Sequence, residues 1–253
     1  MLDNQRLPNL ITVGLLFIIT PPAFAQSTAI PSARFGEKLS EVFFKPPSDD
    51  KKPEHTAEAG SRHPIPCIQN SNSTTLINSL PSQNALMPLI PRTNLGLTIS
   101  EKPKLWIYVP ETSARQLVFS IREEGRVHHS KTLVPITGAS GIISLQPNHD
   151  SLPLKIGTNY KLSVVLVCGE KPGPNDPARD VWVRRVEAPA PIIQGSALEK
   201  AAWYGKQGIW YDTLYFLIKA KNSQFQNPDL ISIWTNFLES EGLKAITTES
   251  IQF

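Results

Sequence analysis

The chain is expected to be mainly β: an immunoglobulin-like or fibronectin-like β-sandwich followed by a short C-terminal helical module. Three observations predict this. From about Cys67 to Glu187, short runs rich in β-branched and aromatic residues are separated by Pro, Gly, Asn and Asp. After Pro189 and Pro191 the apolar period changes from two to nearly four. Ahead of both lies a polar, proline-dotted stretch with too few apolar residues to build a core. The expected organisation is a signal peptide over 1–25, a disordered polar linker over 26–62, a β-sandwich over 63–188 and a helical module over 189–253.

The first segment reads as a secretory signal peptide. Arg6 lies near the start, and the apolar run from Leu10 to Ile19 is broken by Pro21 and Pro22. Ala23-Phe24-Ala25 then offers a small-x-small site, placing cleavage between Ala25 and Gln26. The run is too short for a comfortable membrane span, and no later segment reaches eighteen consecutive apolar residues. The mature protein is therefore expected in the periplasm or outside the cell, with no integral membrane segment after cleavage. The first cysteine, Cys67, lies too far downstream to carry a lipoprotein anchor.

In the 26–62 linker, Pro46-Pro47 and the charge run Asp49-Asp50-Lys51-Lys52 argue against packing. Val42-Phe43-Phe44 is the exception, and a short helix from about Lys38 to Phe44 would need a partner surface for its apolar face.

Eight runs supply the strands: Leu86 to Ile90, Leu95 to Ile99, Lys104 to Val109, Gln116 to Glu123, Arg126 to Val134, Gly141 to Leu145, Asn159 to Cys168 and Asp180 to Glu187. Alternation assigns faces. Leu117, Phe119 and Ile121 share one side of their strand, with Val118, Ser120 and Arg122 on the other. Likewise Tyr160, Leu162, Val164 and Leu166 lie with Cys168, opposite Lys161 and Ser163. Glu124-Gly125 forms the turn between the fourth and fifth runs.

Two cysteines in an exported chain imply one disulfide, Cys67 to Cys168. Closing a loop of roughly 100 residues stabilises by on the order of 4–5 kcal/mol in chain-entropy models. No C-x-x-C pattern or Cys/His cluster surrounds either residue to favour a metal pair.

In the helical module, Ser196 and Glu199 form a capping box ahead of Leu198, Ala201 and Ala202, and Gly208 ends that helix. Trp210, Leu214, Leu217 and Ile218 form the next apolar stripe. A third helix opens with Asn227 as cap and Pro228 at its first position, carries Leu230, Trp234, Phe237 and Leu238, and stops at Gly242. Tyr204 to Ala220 resembles one tetratricopeptide helical hairpin. Such repeats normally stack in about three copies, so these helices must lean on the sandwich or on a partner.

The order Leu95-Gly96-Leu97-Thr98-Ile99-Ser100, Pro103, then Trp106-Ile107-Tyr108-Val109-Pro110 resembles the core signature of a cyanobacterial exported family, the domain of unknown function DUF 928. Similar matches are Ala59 to Arg62, Gly141 to Leu145, the strand ending in Cys168, Trp182 to Glu187, and Gly208-Ile209-Trp210-Tyr211-Asp212. The resemblance covers roughly residues 57 to 243. It implies a domain plan and no particular chemistry.

Catalytic constellations are weak. His128 and His129 are adjacent on a strand and point to opposite faces, His55 and His63 fall in the linker, and His149 falls in a loop, so no metal ligands are assigned. Gly138-Ala139-Ser140-Gly141 lacks the full nucleophile elbow and precedes a strand. Glu123-Glu124 sits at a hairpin tip, Arg184-Arg185 reads as a strand edge, and Gly169 to Pro177 is an acidic, proline-rich loop with no phosphate-binding pattern. No catalytic or cofactor-binding residue is assigned, and no cofactor is expected. With 25 basic and 22 acidic residues interspersed, nothing argues for nucleic acid. Trp106, Tyr108, Trp182, Trp203, Trp210, Tyr211 and Trp234 are expected mostly in the core; exposed, they would form a sugar-stacking platform. The expected function is a non-enzymatic binding or scaffold protein whose partner is another envelope protein or a cell-wall component. The alternatives are a carbohydrate-binding module and, behind it, a hydrolase.

Overall fold

A computed structural model describes residues 41–47, 67–68, 85–124, 128–190, 194–224 and 226–252. The expected signal peptide with its Ala25/Gln26 cleavage site lies outside the described residues, as does most of the 26–62 linker.

Strands form at all eight runs: β1 (Met87–Pro88), β2 (Leu95–Thr98), β3 (Leu105–Val109), β4 (Gln116–Glu123), β5 (His128–Pro135), β6 (Gly141–Leu145), β7 (Asn159–Val167) and β8 (Ala178–Arg185). They build two sheets, one ordered β1-β3-β6 and the other β2-β8-β7-β4-β5. Within the larger sheet β2 runs parallel to β8, and the remaining pairings are antiparallel. Alternation positions the core as expected: Leu117, Phe119 and Ile121 on β4, and Tyr160, Leu162, Val164 and Leu166 on β7, are buried. These meet Leu105, Ile107 and Leu145 of the smaller sheet around a 20 Å³ void, so the two sheets share one apolar core. β3 is buried along its whole length, because its other face is also covered. The edge of β6 away from β3 is met by residues 250–252. Ile142 N–H donates to Ser250 O at 2.8 Å and Gln252 N–H donates to Ile142 O at 2.8 Å, adding a short parallel rung beside β6. Burial, and secondarily the nearby Glu249 carboxylate, pushes the Tyr108 phenol up to about 12.

Three α-helices follow: α1 (Ala197–Lys206), α2 (Trp210–Ser223) and α3 (Pro228–Ser240). Their caps are the expected ones. Ser196 Oγ accepts from Glu199 N, and Glu199 Oε2 accepts from Ser196 N at 2.7 Å, which holds the Glu199 carboxyl below its usual range. Asn227 Oδ1 accepts from Asp229 N at 3.0 Å. Leu214, Leu217, Phe237 and Leu238 are buried between the helices, each side chain stabilising by about 1.5–3 kcal/mol. Among the described residues no helix is long and apolar enough to cross a membrane.

The stretch expected to be a disordered linker, with a short helix at most near Val42-Phe43-Phe44, requires correction at 41–47. These residues are extended chain, not the helix anticipated from Lys38 to Phe44, and they strap the α1–α2 hairpin. Val42 and Phe44, two residues apart, both turn inward as extended backbone dictates, leaving Phe43 45% exposed. Phe44 meets the Trp210 indole edge-on at 5.0 Å, and Lys45 N–H donates to Gly205 O at 3.0 Å. Gly205 permits the contact, since a Cβ there would collide with the Phe43 carbonyl oxygen. The strap, both sheets and the helices form one compact unit, Leu39–Phe253.

The expected disulfide is present. Cys67 and Cys168 are bonded with Cα atoms 5.3 Å apart. Cys67 O also accepts from Thr112 Oγ1 at 2.6 Å and from Ser113 N at 2.9 Å, fixing this point of the chain at the start of β4.

Candidate functional site

The site begins with three consecutive residues on the first turn of α2. Successive helical residues are rotated by about 100°, so Trp210, Tyr211 and Asp212 fan outward and reach three different points on the sheets. Trp210 Nε1–H donates to Leu89 O at 2.9 Å, and Tyr211 O–H donates to Trp182 O at 3.4 Å. Asp212 Oδ2 accepts from Thr98 Oγ1 at 2.9 Å and from Ile99 N at 3.1 Å. Gly96 on β2 lets the Tyr211 ring lie against the strand; a Cβ there would stand 2.5 Å from Tyr211 Cε2. The helical module is thus clamped to the sheets through β2, the edge strand that α2 covers.

Beside this clamp lies a cavity of about 430 Å³, within the size range of small-molecule sites. Asp212, Thr98 and Ser100 line it. One wall is aromatic: Tyr204 stacks on Phe216 at 5.5 Å with planes 3° apart, and Tyr215 meets Phe216 edge-on at 5.1 Å. The lining also includes Lys102, Lys104 and Gln146 from the loops flanking β3 and β6. Lys102 Nζ donates to His149 O, and Lys104 Nζ stands 5.9 Å from the Trp106 ring centre. Burial raises the Asp212 pKa, winning over the hydrogen bonds from Ile99 and Thr98 that lower it. Tyr204 is raised as well, by burial and then by the Asp212 charge.

The residues singled out from sequence lie elsewhere. β5 carries His128 and His129 at a register shift: Ile121 faces Ser130 while Arg122 faces His128, so His129 is an extra residue. His149 is exposed, and among the described residues no group of three His, Cys, Asp or Glu side chains could hold a metal ion. Gly138 O accepts from Thr112 N at 2.8 Å, and Ser140 O accepts from Gln252 Nε2 at 2.9 Å, making that turn a tie between segments. Glu123 pairs with Lys155 at 3.4 Å, and Glu124 accepts from Asn159 Nδ2 at 2.8 Å. Arg184 and Arg185 are not on a strand edge as expected, because β8 is flanked by β2 and β7. Arg184 Nε donates to Asn159 Oδ1 at 2.6 Å, and Arg185 pairs with Glu101 at 3.0 Å. In the loop after β7, Asp176 accepts from Cys168 N and Gly173 N, so its charge closes the turn.

Of the seven aromatics weighed as a platform, Trp106, Tyr108, Trp182, Trp210, Tyr211 and Trp234 are buried and Trp203 is half-buried. The exposed aromatics among the described residues are Phe43 and Tyr215. Sequence reasoning passed over Asp212 and the cavity. A carboxylate inside the otherwise apolar run Ile209-Trp210-Tyr211 to Leu214 was the available signal, since such a position is buried only with partners.

These features define a two-sheet β unit with a helical module clamped to one edge and a ligand-sized cavity at the seam. A family model described as Domain of Unknown Function (DUF928) matches residues 57–251, and the chain belongs to that family. No curated protein and no solved structure matches the chain.

Proposed function

We propose that this is an exported, non-enzymatic binding protein. An immunoglobulin-like or fibronectin-like sandwich and a tetratricopeptide-like hairpin together present a pocket to a component of the cell envelope. The observation that carries this reading is the 430 Å³ seam cavity, lined by residues at and after the end of β2, by loop residues beside β3 and β6, and by residues of α1 and α2. Its carboxylate is held by Thr98 and Ile99 as a fixed acceptor, which suits recognition. Export is supported by the Ala25/Gln26 cleavage pattern together with the Cys67–Cys168 bond.

The test is a thermal-shift screen of the purified chain against charged, zwitterionic and saccharide small molecules. A binder should raise the melting temperature, and Ser100→Trp, which fills the cavity, should abolish the rise. No stabilisation by any class, or stabilisation unaffected by Ser100→Trp, counts against the seam as the binding site.

A further inference from the structure

Resting on that reading, we infer that the seam cavity takes a small zwitterion, an amino-acid-like or short peptide ligand whose ammonium meets Asp212 and whose anionic end meets Lys102 and Lys104.

The charge arrangement carries the assignment. Asp212 lines the cavity, and among the described residues no Lys, Arg or His forms an ion pair with it. Its Oδ2 accepts from Thr98 Oγ1 and Ile99 N, neutral donors that leave the charge uncompensated. A carboxylate in such surroundings is relieved most by a cation arriving with its own N–H donors. Tyr215, 38% exposed, stands at the same site, and the electron-rich face of a tyrosine ring favours an ammonium. Lys102 and Lys104 meet the His149 carbonyl and the Trp106 ring and form no ion pair with Asp212. The same lining therefore holds positive charge and an unpaired carboxylate, an arrangement matched by a molecule carrying both signs.

Other ligand classes fit less well. A sugar needs an open ring face, yet Phe216 is covered by stacked Tyr204, by the edge of Tyr215, and by Lys200 Nζ 5.5 Å from its centre. A simple anion would have to sit against Asp212. A metal ion would find one carboxylate where it requires several ligands.

The experiment is calorimetric titration of the full mature chain with four probes: phenylalanine, phenethylamine, 3-phenylpropionate and cellobiose. Phenylalanine should bind tightest and phenethylamine next, with 3-phenylpropionate and cellobiose at least tenfold weaker. Asp212→Asn keeps an oxygen acceptor for Thr98 and Ile99 while removing the charge, and should weaken both amines at least tenfold. Lys102→Gln with Lys104→Gln should bring phenylalanine down to the phenethylamine level. Should Asp212→Asn compromise folding, Tyr215→Ala on the exposed wall should weaken both amines several-fold with unchanged melting. Cellobiose or 3-phenylpropionate binding as tightly as phenylalanine, in a manner blocked by Ser100→Trp, overturns the zwitterion and leaves the pocket standing. No heat from any probe overturns the zwitterion, and a blank screen beside it removes the pocket as well.

Discussion

Replacing Trp210 by Phe tests whether the sheets and the helical module unfold as one body. The indole is 0% exposed, stacks on Phe237 at 5.1 Å and donates to Leu89 O at 2.9 Å across the seam. Phenylalanine retains an aromatic ring for Phe237 and Phe44 but deletes the donor. A buried carbonyl left without its partner costs about 1–3 kcal/mol, and the volume vacated adds about 1 kcal/mol. The expected loss is therefore about 2–4 kcal/mol. At roughly 2–4 °C per kcal/mol for a unit of this size, the melting temperature should fall on the order of 5–15 °C. Urea unfolding followed in parallel by far-ultraviolet circular dichroism and by near-ultraviolet signals should show both probes shifting together. The same substitution at Trp234, whose Nε1 donates to Thr247 O at 2.9 Å, serves as a comparison away from the seam. If W210F changes stability by less than 0.5 kcal/mol, or melts the helices while the sheet transition stays in place, the clamp does not couple the two parts.

Three further outcomes are expected. Because burial raises the folded-state pKa of Asp212 above 3.8, its contribution to stability is full below that pH and is lost as pH rises through the folded value. Asp212→Asn should therefore flatten that part of the stability-versus-pH curve and match or exceed wild type at neutral pH, whereas Asp212→Ala, which strands Thr98 and Ile99, should lose about 1–3 kcal/mol; urea midpoints across pH decide, and an Asn variant weaker than the Ala variant would be inconsistent with this. Cys67→Ser with Cys168→Ser opens a loop spanning a sequence separation of 101 and should cost about 4–5 kcal/mol, with wild type showing no free thiols by mass analysis; a reductant-insensitive urea midpoint argues otherwise. Phe44→Ala should release the strap at a cost of about 3–5 kcal/mol and speed proteolysis near residue 44, and unchanged cleavage would mean that the strap is not held by this ring.

Local patterns in the sequence were read correctly because each depends on neighbours in the chain. The Ser196–Glu199 box, the Asn227-Pro228 start and the Gly242 stop follow from the orphan backbone groups of helix ends. The alternation in Gln116–Glu123 and Asn159–Val167 follows from the pleat. The cavity was not legible, because it joins Thr98 and Ser100 to Tyr204 and Asp212, residues about a hundred positions apart with no periodic signature between them. The parallel β2–β8 pairing was hidden for the same reason: alternation gives a strand its faces without naming its neighbour. The strap was misread because Pro46-Pro47 and the following charges outweighed a three-residue apolar segment whose receiving groove depends on the Cβ missing at Gly205.

The rung formed by Ser250 and Gln252 on Ile142 has a consequence for when this protein becomes native. Leu95 on β2 pairs with Trp182 on β8, β2 is covered by α2, and β6 of the smaller sheet takes its outer rung from Ser250 and Gln252. These pairings join segments far apart in the chain, and such non-local closure slows folding. During synthesis Ile142 on β6 therefore keeps its outward backbone N–H and C=O open until residues 250–252 have emerged.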